Sequence, residues 1–173
     1  LRMGNGAFGL GQLPLRSPTV FNFFRPGYTP PSSNLGGRGL SAPEFQITTD
    51  TTVCGYGNTM ESLIRKGFES FVNEDVYATG IYQDPPKRYD QADFSEMMPL
   101  ADQPDRLLDY LNLVLCAGRL GTLSRSIIRQ AVLEITALTP DDQRVYPGIT
   151  LQQKKVHLAV FMVMISPDYV VQK

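Results

Sequence analysis

A chain of 173 residues with 42% apolar and 19% charged side chains is long enough for one folded domain with a buried core. Its net charge is −1, with no block of like charge, so it lacks the basic stripe that binds phosphate backbones or anionic membrane surfaces. The longest apolar run, Leu158 to Ile165, falls far short of the ~20 residues of a membrane span. Neither nucleic acid nor a membrane span is expected.

Residues 1–57 are dense in glycine and proline, which blocks long helices, yet carry large apolar side chains throughout. Disordered tracts are poor in such residues, so the region reads as an ordered arm. Gly4-Asn-Gly-Ala-Phe-Gly9 has the spacing of a dinucleotide fingerprint. No strand precedes it and no helix clearly follows, so it reads as the glycine-rich start of the arm. The densest stretch is Arg16-Ser-Pro-Thr-Val-Phe-Asn-Phe-Phe-Arg-Pro-Gly-Tyr28, followed by Ala42-Pro-Glu-Phe-Gln-Ile47. Its candidate binding residues are Arg16, Phe21, Phe23, Phe24, Arg25, Tyr28 and Glu44. Aromatic rings on an extended segment line sugar and peptide grooves, and arginine grips acidic groups through its planar fork. The preferred reading is structural: the rings glue a region that lacks regular structure, and the arginines anchor it.

The spacing of Met60, Leu63, Ile64, Phe68 and Phe71 predicts a first helix over 58–72, with Asn58 or Thr59 as cap and Arg65, Lys66 and Glu69 on the outer side. Residues 73–103 read as a connection, with a helical turn near Asp93 to Met98. A second helix opens at Pro104 behind Asp102, carries Leu107, Leu108, Leu111, Val114 and Leu115 on its buried stripe, and stops before Gly118. A third starts at Thr122 or Ser124, with Leu123, Ile127, Ile128, Ala131, Val132, Ile135 and Leu138 at helical spacing. The short link makes these two an antiparallel hairpin. Thr139-Pro-Asp-Asp142 opens a short helix, and Thr150-Leu-Gln-Gln153 is a capping box for a last helix over 151–165.

No nucleophile elbow accompanies the lone His157, which reads as a solvent-edge or core-satisfied residue. The carboxylates Asp84, Asp90, Asp93, Glu96, Asp102, Asp105 and Asp109 lack the alternation of an EF-hand loop, so solvation and helix-start charge are preferred to calcium binding. Cys54 and Cys116 read as two separate buried thiols, with a disulfide as the alternative. No metal site and no cofactor is expected.

Gly11-Gln12, the segment Pro18 to Tyr28, and Leu40-Ser-Ala-Pro-Glu-Phe-Gln-Ile47 resemble the C-terminal part of the bacterial family called domain of unknown function 1800. The tail Ser166-Pro-Asp-Tyr-Val-Val-Gln172 is similar to that family's ending, S-P-E-Y-x-x-Q. The resemblance implies a mostly helical, often exported bacterial protein, periplasmic or extracellular, with no agreed activity. Its members are longer, which with the start at Leu1 implies a C-terminal fragment.

The expected fold is mainly α: about four helices in an orthogonal or bundle-like packing, with the arm of residues 1–57 wrapped over a helical domain of residues 58–173 as one folding unit. The expected function is a non-catalytic scaffold or binding module of an exported bacterial protein. Its expected partners are the rest of the parent chain, another protein or a glycan. The alternative is a hydrolase acting on polysaccharide or sulfated glycan, with part of its site upstream.

Overall fold

The computed structural model describes residues 4–5, 8–9, 17, 20–71 and 87–170, with backbone alone at 4–5, 8–9, 44, 68–71 and 87–90. The fold is mainly α, and four of the seven helices among the described residues have seven or more residues. Two compact units divide the chain, Leu1–Glu61 and Ser62–Lys173.

In the first unit, β1 (Gly4–Asn5) pairs antiparallel with β2 (Phe8–Gly9). Farther on, a turn closed by Tyr28 N–H on the Arg25 carbonyl (3.0 Å) leads to the short α1 (Asn34–Gly37). Ser33 ties this bend twice, donating to the Pro30 carbonyl at 2.8 Å and accepting from the Gly36 amide at 2.9 Å. A Cβ on Gly36 would lie 2.2 Å from the Pro30 oxygen, so only glycine fits there. The chain then folds back. Ala42 N–H reaches the Tyr28 carbonyl at 2.8 Å, and Arg25 N–H reaches Gln46 Oε1 at 2.7 Å across the 3₁₀ turn Pro43–Ile47.

The first long helix, α2 (Asp50–Lys66), begins eight residues before the expected Asn58. Thr49 and Thr52 cap it reciprocally, Thr49 N–H donating to Thr52 Oγ1 (2.8 Å) and Thr52 N–H to Thr49 Oγ1 (3.2 Å). Gly55 and Gly57, which argued against a helix here, are carried inside it. The early start also corrects Cys54, which is exposed, while Cys116 is buried; both thiols are free. The helix also stops sooner than expected. Gly67 turns the backbone left-handed (φ 82°), and Phe68 and Phe71 enter the strand β3 (Phe68–Phe71) instead of a last helical turn. This strand pairs antiparallel with β4 (Lys87–Asp90), Phe68 opposite Asp90, inside the stretch expected to be a plain connection.

The second unit is organised by α3 (Pro104–Cys116), α4 (Thr122–Glu134) and α6 (Leu151–Met164), which pack on one another. Leu107, Leu108, Leu111, Val156, Ala159 and Val163 are fully enclosed, with Ile128 and Val132 beside them. The hairpin of α3 and α4 is antiparallel: Arg129 Nε holds both oxygens of Asp105 (3.0 and 3.1 Å), and Arg125 holds Asp109 (2.8 Å). Asn112 Oδ1 accepts the Leu120 amide across the bend at 2.7 Å. Two expectations change here. Gln103, not Asp102, occupies the cap of α3, and Asp102 instead meets Lys155 at 2.6 Å. Val114, Leu123 and Ile127 are exposed, because the buried stripe of each helix is narrower than its apolar spacing.

Both N-terminal capping boxes form, Thr139 with Asp142 at α5 (Pro140–Val145) and Thr150 with Gln153 at α6. Lys154 joins the first at 2.6 Å from Asp142. That lysine, and then the Thr139 amide, hold the Asp142 carboxyl well below the usual carboxylate range. The terminal turn α7 (Pro167–Val170) places Asp168 at the start of α4, where it accepts a hydrogen bond from Ser124 Oγ at 2.6 Å. Gly121, which caps α4 without a side-chain bond, leaves room for it; a Cβ there would lie 3.3 Å from Asp168 Oδ2.

Candidate functional site

The sequence placed its candidate residues in the first unit, and the structure brings some of them together. Phe21, Arg25 and Tyr28, with Pro26, Gly27 and Thr29, line an open hollow of about 460 Å³. Phe21 is 59% exposed, and Phe23 and Phe24 are half-buried outside that lining. None of these three rings is therefore a fully buried plug. Arg16 lies outside the described residues, as does the side chain of Glu44.

A larger cavity, about 620 Å³, lies within the second unit. Its walls come from the end of α2, the turn around Phe94, the α5–α6 link from Val145 to Ile149, and the first two turns of α6. Ile64, Met98 and Ile149 supply apolar floor, and Arg65, Lys66, Asp93, Gln153 and His157 supply polar groups. Each wall is fixed locally. Gln143 Nε2 donates to the Ile149 carbonyl (3.2 Å), and its Oε1 accepts the Gly148 amide (3.3 Å). Asp93 Oδ1 accepts the Ser95 amide at 2.8 Å, which lowers the Asp93 pKa.

Arg65 and His157 are the chemically distinctive pair. The Arg65 guanidinium stands over the Tyr146 ring, 4.5 Å from its centroid, a cation–π arrangement that fixes the fork against an apolar face. The His157 ring meets Phe94 edge-on at 5.2 Å, with an interplanar angle of 61°. Burial, and after it the positive charge of Arg65, push the His157 pKa down to about 4. The imidazole is therefore neutral at pH 7. Its Nδ1 is buried with no hydrogen-bond partner among the described residues, at a cost of about 1–3 kcal/mol.

This corrects two readings. Arg65 and Lys66 were assigned to the outer side of their helix, yet both line the cavity and Arg65 is half-buried. His157 was assigned to a satisfied or solvent-edge position, and its Nδ1 is neither satisfied nor solvated. The one signal in the sequence was an imidazole on a helix otherwise rich in small and apolar residues. Its neighbours in space, Arg65 and Phe94, lie far away along the chain.

The carboxylates of residues 93–109 spread out. Tyr110 O–H donates to Glu96 at 2.8 Å, which raises the tyrosine pKa, and Asp102, Asp105 and Asp109 each face a cation outside the cavity. Asp84 lies outside the described residues, and Asp90 is described by its backbone alone. Among the described residues, Asp93 is the single carboxylate lining the cavity, and no three of His, Cys, Asp or Glu gather in a metal-binding group. No helix of the described residues is long and apolar enough to cross a membrane. No family model, no curated protein and no solved structure matches this chain.

Proposed function

We propose that this chain is a non-catalytic binding module whose ligand enters the cavity between α2 and α6. The observation that carries this reading is the His157–Arg65 pair: a buried, unpartnered imidazole nitrogen beside a braced guanidinium in an open cavity. A volume of about 620 Å³ is the size of ordinary small-molecule sites, and the mixture of apolar wall and few polar groups is their usual lining. The resemblance carried by the Pro18 to Tyr28 segment adds the setting, an exported bacterial protein at or beyond the periplasm. The alternative, a hydrolase acting on polysaccharide or sulfated glycan, requires an acid and a base in one site; the described lining supplies one carboxylate, and that reading takes the other from an upstream region.

The test is amide NMR of the whole chain titrated with a panel of neutral and acidic saccharides and small organic acids. Binding should shift the amides of residues 91–98 and 145–157 together. Shifts confined to Phe21, Arg25 and Tyr28 would move the site to the hollow of the first unit. Turnover of a glycan at enzyme-like rates would overturn the non-catalytic reading.

A further inference from the structure

On the premise that the binding-module reading holds, the polar groups of the cavity narrow its ligand. Two of them have a fixed hydrogen-bonding sense. Gln153 Oε1 accepts the Thr150 amide at 2.8 Å as part of the α6 capping box. The other end of that amide, Nε2, is therefore a donor, and it has no partner among the described residues. Asp93 Oδ1 accepts the Ser95 amide at 2.8 Å, a bond that holds the carboxyl below its ordinary pKa. At pH 7 it is an ionised group that can only accept, with lone pairs beyond those Ser95 takes. The same lining holds the apolar wall of Phe94, Met98 and Ile149, in which the His157 ring props Phe94 edge-on at 5.2 Å. Arg65 takes no part, since its guanidinium already covers the Tyr146 ring.

We infer that the cavity binds an uncharged sugar ring, whose hydroxyls donate to Asp93 and accept from Gln153 Nε2 while its C–H face lies on the Phe94, Met98 and Ile149 wall. A hydroxyl both donates and accepts, so one kind of group answers a fixed donor and a fixed acceptor together. A ligand that only accepts, such as a carboxylate or a phosphate, sets its charge against Asp93. One that only donates, such as an ammonium, leaves Gln153 Nε2 unanswered and meets Lys66 in the same lining. A pyranose carries hydroxyls at its rim and C–H groups on its face, which matches an apolar wall with few polar groups. The volume of about 620 Å³ takes about one or two such rings.

The test is amide NMR titration of the whole chain with ring-sized probes that differ in charge and in hydroxyls. Glucose is set against glucuronate, N-acetylglucosamine against glucosamine, and cyclohexanol serves as a ring stripped to one hydroxyl. At least one neutral sugar should shift the amides around Asp93 and Gln153. It should bind at least about fivefold tighter than its charged counterpart, the scale of one exposed charge contact. It should also bind tighter than cyclohexanol, which lacks most of the hydrogen bonds. Two substitutions separate recognition from folding. Asp93→Asn keeps an oxygen for the Ser95 amide but turns the remaining acceptor into a donor. Gln153→Glu keeps the capping box, where glutamate serves equally, but turns the donor into an acceptor. Each should weaken the sugar at least about tenfold. Circular dichroism melts of both variants verify that they fold.

A charged counterpart binding tighter than its neutral sugar would overturn the inference. So would cyclohexanol binding as well as the sugars, or unchanged sugar affinity in both folded variants. Absence of binding by both neutral sugars would overturn it too. Shifts at residues 91–98 and 145–157 with another member of the wider panel would then leave the binding module standing, and their absence with every probe would remove both.

Discussion

The two units are both supplied with large apolar side chains, and they use them differently. Across the second unit, leucine, isoleucine and valine recur at helical spacing and join in one continuous core. In the first unit the rings are clustered in sequence, and among its described residues the buried apolar side chains are Pro30, Ala42 and Met60, none of them a ring of the aromatic cluster. Burial follows from periodicity, which places many side chains on one face of a rigid element. A crowd of aromatics on irregular backbone has no common face. What orders the first unit instead is a set of backbone bonds and tight steric fits, such as Ser33 to Pro30 and Tyr28 to Ala42.

The sharpest way to break this contrast is truncation. Leu111→Ala, in a fully enclosed site, should cost about 2–5 kcal/mol, read by urea unfolding of the second unit. Phe21→Ala, at an exposed ring, should cost at most about 1 kcal/mol. If the phenylalanine proved the costlier of the two, the contrast between the units would be lost.

Acid offers a second probe, confined to the helical unit. Burial, and after it the Arg65 charge, hold the His157 imidazole neutral, with a pKa of about 4 against the ordinary 6.5 of a histidine. The unfolded chain therefore takes up a proton at higher pH than the native one. The corresponding stability is fully present above pH 6.5 and drains away as pH falls toward 4, by about 2–3 kcal/mol. Arg65, Lys66 and Asp93 share the cavity with the ring, and Asp93 titrates below this window, so the window belongs to the imidazole. His157→Phe should flatten the stability profile between pH 6.5 and pH 4. An unchanged slope in that variant would show that His157 is not the titrating group.

For the first unit the expected weak point is backbone fit. Gly36→Ala drives a methyl into the Pro30 carbonyl and should cost about 1–3 kcal/mol. Hydrogen exchange should report it as faster opening of residues 28–46 with the core of α3 and α6 unaffected. The smallest effect belongs to a cap: Thr150→Ala should cost about 1 kcal/mol through the start of α6, visible as a lower melting temperature.

Much of the helical unit was legible because its signals are local. Thr139 with Asp142, Thr150 with Gln153, and Pro104 at a first helical position each announce a helix within four residues. Periodicity alone misjudged the helix around Met60. Phe68 and Phe71 fit a helix by spacing, but the left-handed turn at Gly67 decides for a strand, and the β4 partner lies far along the chain. The cavity was hidden for the same reason. Residues 64–66, 91–95, 98, 145–149, 153 and 157 meet only after the helices pack, and the three stretches that carry them lie far apart in sequence. Seen along the chain, the aromatic segment held the candidate binding residues, although its preferred reading was structural. In space, the stronger candidate is the lone His157, which the sequence reading set down as a solvent-edge or core-satisfied residue.

Gly121 carries a lesson for anyone re-engineering this scaffold. The usual prescription replaces a glycine ahead of a helix with serine or aspartate, so that the residue caps its own helix. Here the Asp168 carboxylate, 47 positions away along the chain, already stands beside that end and accepts from the Ser124 hydroxyl. A serine at 121 would compete with the carboxylate for the same space, and an aspartate would set two negative charges against each other. Consensus-style stabilisation should therefore skip this position. The distant Ser166-Pro-Asp-Tyr169 turn already sets a negative charge at this helix start, so the glycine marks occupied space.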